Sequence, residues 1–357
     1  MTRTTSRKRT AVLAALTAAA GCLATVPAGA APGQETGRGG SGLERCAGTG
    51  PVVCHFDVAP GTYDVAVTLG GTPAGSTSVA AETRRTLLAE TVTAPGQRAR
   101  RTFTVSVRTP EGEPTGPAGT PGLTLTFAGA APAPAAVRVT PAPHARRILL
   151  VGDSTVCDQP GEPYSGWGQQ LPQYLKRGAV VANYGDSGES SASYLESPAL
   201  FPAVQPLVRR GDLVLVQLAH NDKQTGAAAY RANLTALVDG VRARGGRPAL
   251  VTPVVRRWFN ADATLNNDTA LLVNGLGVNH PAEIRALSAE LGTPLVDLTA
   301  LTRKRVEELG PEASKALYLT AEKRDNTHTS VRGATEYARL VLDALREQRL
   351  IPERLVR

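Results

Sequence analysis

Ser154 stands in Gly152-Asp153-Ser154-Thr155, directly after the aliphatic run Ile148-Leu149-Leu150-Val151. Four consecutive aliphatics suit a parallel strand covered on both faces. Ligands of open α/β sheets bind at the carboxyl ends of such strands. A glycine there lets the chain turn sharply, which makes the serine hydroxyl that follows a candidate nucleophile. Taken alone, the tetrapeptide reads first as a polar loop closing a strand, so the chemistry depends on partners elsewhere. A serine attacks at neutral pH only beside a base, normally a histidine held by a carboxylate. Of the five histidines, His328 in Asp325-Asn326-Thr327-His328 meets that need. It lies in a polar stretch before the last expected helix. Residues three apart in a turn can face the same way, which would let Asp325 bind one imidazole nitrogen and leave the other for Ser154. The competing reading is an Asx-type turn capping that helix.

Acyl transfer also needs donors aimed at the developing oxyanion. Gly188, in Asn183-Tyr184-Gly185-Asp186-Ser187-Gly188, offers an unhindered backbone N–H. Asn221, in Ala219-His220-Asn221-Asp222, offers a side-chain amide. Each follows an expected strand and is an ordinary loop when taken singly. Together with Ser154 and Asp325–His328 they place every required role at one end of one sheet. Asp186 and Asp222 resemble a glycosidase carboxylate pair, but the serine constellation explains both loops without them.

The elements that position these residues follow from pattern. Residues 44–141 read as all-β, with alternation from Tyr63 to Leu69, strands at 86–88, 103–107, 123–127 and 137–139, and Gly/Pro turns between them. Such spacing indicates an accessory β-sandwich. Pro110 to Pro121 is a long Pro/Gly-rich loop, and Pro141-Ala142-Pro143 marks a boundary. Residues 145–357 alternate strand and helix. Strands are expected at 148–151, 179–182, 213–218, 249–252 and 295–298, with helices at 166–177, 228–244, 281–291, 302–309 and 333–348. The expected catalytic domain is therefore a flavodoxin-like three-layer α/β/α fold with a parallel five-stranded sheet.

This ordered set of motifs resembles the SGNH (GDSL-type) hydrolases, and most closely their rhamnogalacturonan acetylesterase branch. The likeness is carried by Gly152-Asp153-Ser154-Thr155, Gly166-Trp167-Gly168, Asn183 to Gly188 with Ser190, His220-Asn221-Asp222 and Asp325 to Ser330. It covers residues 146–348. Residues 61–69 and 81–88 resemble the galactose-binding-like domain that precedes some members. The resemblance implies that Ser154 is the nucleophile, His328 the general base and Asp325 its orienting carboxylate. It implies an oxyanion hole made of the Ser154 and Gly188 N–H groups and the Asn221 side chain, with no metal or other cofactor. Two positions depart from the pattern: Ala219 replaces a usual glycine, and Glu189 stands where those acetylesterases carry arginine.

Around this centre, His220 reads as either pocket lining or packing, and Trp167 as packing for the Ser154 loop beside the substrate, or as part of a core helix. Arg256, Arg257 and Trp258 follow the fourth strand. A guanidinium beside an aromatic suits sugar and uronate binding, and a solvated loop is the alternative. No Cys/His spacing suggests zinc. Cys46 and Cys54 are close in sequence, and in an exported chain a small-loop disulfide is expected. Cys157 then remains as a small buried hydrophobe.

The formal charge is +8. Residues 1–30 hold four of the basic residues and no acid, which leaves +4 for the rest. No aromatic-studded basic stripe accompanies it, so nucleic acid is not an expected partner. Residues 1–30 read as a signal peptide, with a basic start, an apolar run from Ala11 to Val26 and Ala28-Gly29-Ala30 as cleavage site. That run is too short to span a membrane. Ala19-Ala20-Gly21-Cys22 offers lipidation at Cys22 as an alternative to free secretion. Residues 31–43 read as a flexible lead-in. The expected protein is a secreted serine esterase that removes acetyl groups from plant cell-wall polysaccharide through an acetyl-enzyme. Other acetylated glycans (xylan, peptidoglycan) or lipid and aryl esters are alternative substrates. A non-catalytic carbohydrate-binding protein is the alternative of a different class.

Overall fold

The computed structural model describes residues 40–357, which cluster as one compact unit. The expected signal peptide, the lipidation alternative at Cys22 and most of the expected lead-in lie outside these described residues.

The first part is a sandwich of β1 (Cys46–Ala47), β2 (Val52–Phe56), β3 (Gly61–Leu69), β4 (Gly75–Ala81), β5 (Arg85–Thr93), β6 (Ala99–Val107), β7 (Leu123–Ala131) and β8 (Pro134–Pro141). One sheet runs β1-β2-β7-β4-β5 and the other β6-β3-β8, with every pairing antiparallel. Alternation sends Val65, Val67 and Leu69 inward against Leu123, Leu125 and Phe127, as a half-buried strand requires. Strands β2 and β4 were not expected. β4, Gly-Ser-Thr-Ser-Val-Ala-Ala, has few aliphatics, yet its alternate residues are buried. Cys46 and Cys54 face each other across the β1–β2 pair and are joined in a disulfide.

The second part is a parallel sheet of β9 (Arg146–Gly152), β10 (Ala179–Asn183), β11 (Leu213–Gln217), β12 (Arg247–Val251) and β13 (Leu295–Val296). Its order is β10-β9-β11-β12-β13. The chain steps from β9 to β10 on one side, then crosses to β11 on the other. This reversal opens a crevice beside the carboxyl end of β9, where ligands bind in such sheets. Within β9, Ile148 and Leu150 enter one apolar layer and Leu149 and Val151 the other. The first layer is covered by α1 (Trp167–Gln170) and later helices, and the second by α2 (Ser191–Glu196), α3 (Phe201–Val204), α4 (Ala227–Ala243) and α5 (His280–Glu290). The helices on the first face are α6 (Leu298–Ala313) and, after α7 (Thr320–Lys323), α8 (Val331–Glu347). The helix expected over 166–177 is only α1 followed by a 3-10 turn, Leu171–Tyr174. Pro172 lacks the N–H that an α-helix would use there. The Asp325 stretch also differs from expectation. It forms β15 (Asp325–Thr329), paired antiparallel with β14 (Tyr318–Leu319), rather than an isolated turn.

The two parts meet through buried charge. Asp158 Oδ2 pairs with Arg85, whose Nε lies 3.0 Å away, and accepts a hydrogen bond from Arg108 Nη2 at 2.9 Å, with all three side chains almost fully buried. Burial pulls the Arg108 pKa down, and Asp158 works against that pull. Removing the shared carboxylate leaves two buried cations unpaired, a loss of about 3–5 kcal/mol. Asp158→Ala is therefore expected to lower stability by about that amount in urea unfolding; a loss within error of zero would contradict the pairing. Nearby, Glu82 has neither carboxylate oxygen paired. Burial raises its pKa to about 8, against the pull of Arg85 and with a further rise from Glu111. An acid whose folded pKa is raised binds its proton more tightly in the native state, so stability falls as pH rises from its unfolded value through the folded one. The protein is expected to lose thermal stability between about pH 5 and 8, and Glu82→Gln to flatten that slope. An unchanged slope in the variant would refute this origin.

Candidate active site

Three loops at the carboxyl ends of the strands meet β15, which lies outside the parallel sheet. The first follows β9. Asp153 C=O accepts the N–H groups of Val156 and Cys157, which closes a tight turn. Gly152 is required there by space: a Cβ would lie 2.5 Å from Val156 Cγ2. Asp153 Oδ1 accepts from the Thr155 N–H and hydroxyl, and Oδ2 faces His220 Nδ1 at 3.2 Å. Burial opposes ionisation of Asp153, but His220 and the Thr155 donors outweigh it and hold its pKa below the usual carboxylate range. This anchored turn leaves Ser154 only 8% exposed, with its C=O accepting from Gln159 Nε2 at 2.8 Å.

Ser154 Oγ lies 2.8 Å from His328 Nε2, and His328 Nδ1 lies 2.6 Å from Asp325 Oδ2. Asp325 Oδ1 accepts the backbone N–H groups of Thr327 and His328. One carboxylate therefore closes an Asx-type turn and holds the imidazole; the turn does not cap the last helix, whose N-cap is Ser330 with its hydroxyl accepting the Gly333 N–H. Burial alone would raise the Asp325 pKa; the His328 side chain and the two backbone donors prevail and hold it at about 2. An ionised Asp325 can only accept. Nδ1 thus carries the imidazole proton, and Nε2 is free to accept from the Ser154 hydroxyl. Tyr164 packs its ring edge-on to His328 at 5.5 Å.

The loop after β10 carries Gly188 at φ +85°, a left-handed conformation that favours glycine. Among the described residues, no hydrogen bond uses the backbone N–H of Gly188 or of Ser154. The loop after β11 carries Asn221, whose Nδ2 donates to the Glu189 C=O at 3.1 Å. An amide nitrogen has two hydrogens, so one remains. Glu189 keeps one carboxylate oxygen, Oε2, buried and unpaired. Ala219 is buried.

The remaining sequence candidates divide by depth. Trp167 is 1% exposed, and its Nε1 donates to Gln217 Oε1. His220 is 3% exposed, with Nε2 on the Val254 C=O. Both form the floor of the site instead of lining a pocket. Arg256 is half-buried and donates to the His220 C=O at 3.0 Å. Burial lowers its pKa, and nearby Asp153 and Asp325 oppose the fall. Trp258 is the exposed member, at 46%. Arg257 turns the other way. It donates to Ser314 Oγ, Asn326 Oδ1 and the Pro311 C=O, bracing β15. Sequence reasoning missed Gln217, which joins Trp167 to Thr155, and Gln159, Asn183 and Tyr164. Asn183 lay within a quoted motif, and its amide binds the Val156 C=O and Asp158. A cavity of about 390 Å³ lies at the opposite end of the sheet, lined by Arg146, Arg247, Arg346 and Arg349. It holds no nucleophile. Among the described residues, no group of three or more His, Cys, Asp or Glu is arranged to hold a metal ion, and no helix is long and apolar enough to cross a membrane.

A hydroxyl, an imidazole and a carboxylate in series, beside free N–H groups, can perform acyl transfer. Known proteins agree with that chemistry. The family model for the GDSL-like lipase/acylhydrolase family matches residues 150–335. Rhamnogalacturonan acetylesterase RhgT of Bacillus subtilis (strain 168) is 35% identical over 217 residues, covering 56% of this chain and 90% of RhgT. The uncharacterized esterase YxiM of the same organism is 28% identical over 302 residues, covering 82% of this chain and 74% of YxiM. The crystal structure of Bacillus subtilis YxiM superposes with a TM-score of 0.53 at 25% identity, over 84% of this chain and 81% of that one. Its likeness therefore extends beyond the family match and into the sandwich. The chain belongs to the GDSL-like lipase/acylhydrolase family, with the SGNH hydrolase fold, and is an ester-hydrolysing enzyme.

Proposed function

We propose that the protein is a secreted acetylesterase of plant cell-wall polysaccharide, with residues 44–141 as its accessory sandwich and residues 145–357 as its catalytic domain. Ser154 Oγ attacks the acetyl carbonyl as its proton passes to His328 Nε2. The C=O electrons move onto oxygen, facing the N–H groups of Ser154 and Gly188 and the free amide hydrogen of Asn221. The tetrahedral species collapses, the sugar oxygen leaves with the proton from His328, and an acetyl-enzyme remains. Water attacks that ester while His328 again takes the proton. The second tetrahedral species collapses, Ser154 Oγ leaves with the proton from His328, and acetic acid departs. Asp325 fixes the imidazole and stabilises its charge. The observation that carries this reading is the continuous chain from Ser154 Oγ through His328 to Asp325, at 2.8 and 2.6 Å.

RhgT is named for acetylated rhamnogalacturonan, and its 35% identity supports a pectic substrate. The exposed Trp258, two residues after Arg256 in the same loop, offers a face for a sugar ring. Export is supported by the basic and apolar pattern of residues 1–30 and by the Cys46–Cys54 disulfide, since such bonds persist in oxidising compartments. Glu189 favours a second reading. A carboxyl beside the oxyanion loop suits a neutral acetylated glycan such as xylan better than a uronate.

The test is acetate release from defined acetylated polysaccharides and an aryl acetate, by the full chain and by Ser154→Ala. Rhamnogalacturonan is expected to be the best polymer, and Ser154→Ala to lose at least about 10⁴-fold in rate while keeping its thermal transition. Preference for xylan would replace the pectic assignment with the second reading. Undiminished hydrolysis by Ser154→Ala would overturn the mechanism.

A further inference from the structure

The Pro/Gly-rich stretch between β6 and β7, residues 108–122, is too long for an ordinary hairpin connection. It does not hang in solvent as a spacer. It crosses to the catalytic part and ends on the two loops that carry the free backbone N–H groups. Glu113 Oε1 accepts the Ser187 N–H at 2.7 Å and the Cys157 thiol at 3.0 Å. Ser187 immediately precedes Gly188, and Cys157 follows Ser154 by three residues. One carboxylate oxygen from the sandwich therefore ties the Ser154 loop to the Gly188 loop.

Two further contacts grip the same place. Thr115 donates its N–H to Asp186 Oδ2 at 2.7 Å and its hydroxyl to Oδ1 at 2.9 Å. The turn between β4 and β5 holds the far side of the nucleophile loop: Arg84 donates to the C=O groups of Gln159 and Tyr164, and Gln169 donates to the Thr83 C=O. Gln159 in turn binds the Ser154 C=O.

Gly188 has particular need of such support. Its chain neighbours apart, nothing lies within 4 Å of where its Cβ would be, so no side-chain packing holds it on that side. Its position depends on its neighbours. Asp186 and Ser187 are held by the sandwich, and the Glu189 C=O by Asn221. An oxyanion donor displaced by a fraction of an ångström loses most of its worth, because the interaction is short and directional.

We infer that the sandwich is part of the catalytic apparatus, and that Glu113 is the positioning residue that sets the Gly188 N–H against the Ser154 N–H. This rests on the oxyanion assignment proposed above. A module that served only to bind glycan would leave hydrolysis of a small aryl acetate untouched. The structure assigns the sandwich an effect on that small-substrate reaction itself.

The test uses the full chain and an aryl acetate. Glu113→Ala is expected to lower kcat about 10–100-fold, with KM and the thermal midpoint little changed. Glu113→Gln keeps a carbonyl acceptor for the Ser187 N–H and is expected to recover most of the loss. Wild-type kcat in Glu113→Ala, or an equal loss in both variants, would overturn the proposal. Asn221→Ala separates it from its premise. Reduced kcat there with normal kcat in Glu113→Ala means that the oxyanion assignment stands and the positioning role falls. Wild-type kcat in Asn221→Ala overturns the assignment and the proposal with it. Should Glu113→Ala fail to fold, Thr115→Val removes one of the two bonds to Asp186 and is expected to lower kcat by a smaller factor without changing KM; an unchanged kcat would count against the proposal.

Discussion

The contact between Ser154 Oγ and His328 Nε2 joins residues 174 positions apart, and much of the fold exists to hold those two atoms at 2.8 Å. Ser154 is fixed by the end of β9 at the centre of the sheet and by the Asp153 turn. His328 is fixed by β15, which lies outside the parallel sheet altogether. Three links carry β15 to the nucleophile. Thr329 exchanges hydrogen bonds with Ser165 in both directions. Arg257, directly after the fourth strand's loop begins, accepts no movement of Asn326 because it binds that residue's backbone and side chain. Asp325 then sets the ring itself. A short hairpin is marginal alone, so this strand takes its rigidity from what it is tied to.

The second constraint is electrostatic. The junction between sandwich and hydrolase buries Arg85, Arg108 and Asp158 together. Buried ion pairs add little net stability compared with hydrophobic groups of the same shape, but they lose much when mismatched. That asymmetry suits a junction that must dock in one register. Asp158 also binds Asn183, the last residue of β10. The ion cluster is thus continuous with the loop that leads to Gly188. Fold stability and site geometry share the same residues, and the accessory sandwich takes part in both.

Much of the site was legible in sequence because its parts are local. Ser154, Gly188 and Asn221 each sit just beyond an aliphatic strand, and a strand's end fixes where the next residue points. Asp325 and His328 are three residues apart, so one turn decides their geometry. The fold class followed from strand and helix periods, which depend on burial alone. What was illegible depends on partners far along the chain. Glu113 lies unmarked in the Pro/Gly-rich loop, and its partners Cys157 and Ser187 lie 44 and 74 residues away. Trp167 and His220 were read as possible pocket residues because they adjoin motif positions; adjacency in sequence does not reveal which side of a loop faces the floor. Gly152 was read as a conformational need and proved to be a matter of space beside Val156. β4 carries too few large aliphatics to announce itself without the sheet that buries it.

The central claim is that an ester passes through a covalent intermediate on Ser154, formed by a serine that His328 and Asp325 activate. The most direct measurement is rapid acid quench of the full chain during turnover of an aryl acetate, followed by peptide mass spectrometry. The account predicts an acetyl group on the peptide containing Ser154, appearing with the initial release of the phenol and vanishing as substrate is exhausted. An acetyl group accumulating and turning over on any other residue would contradict it.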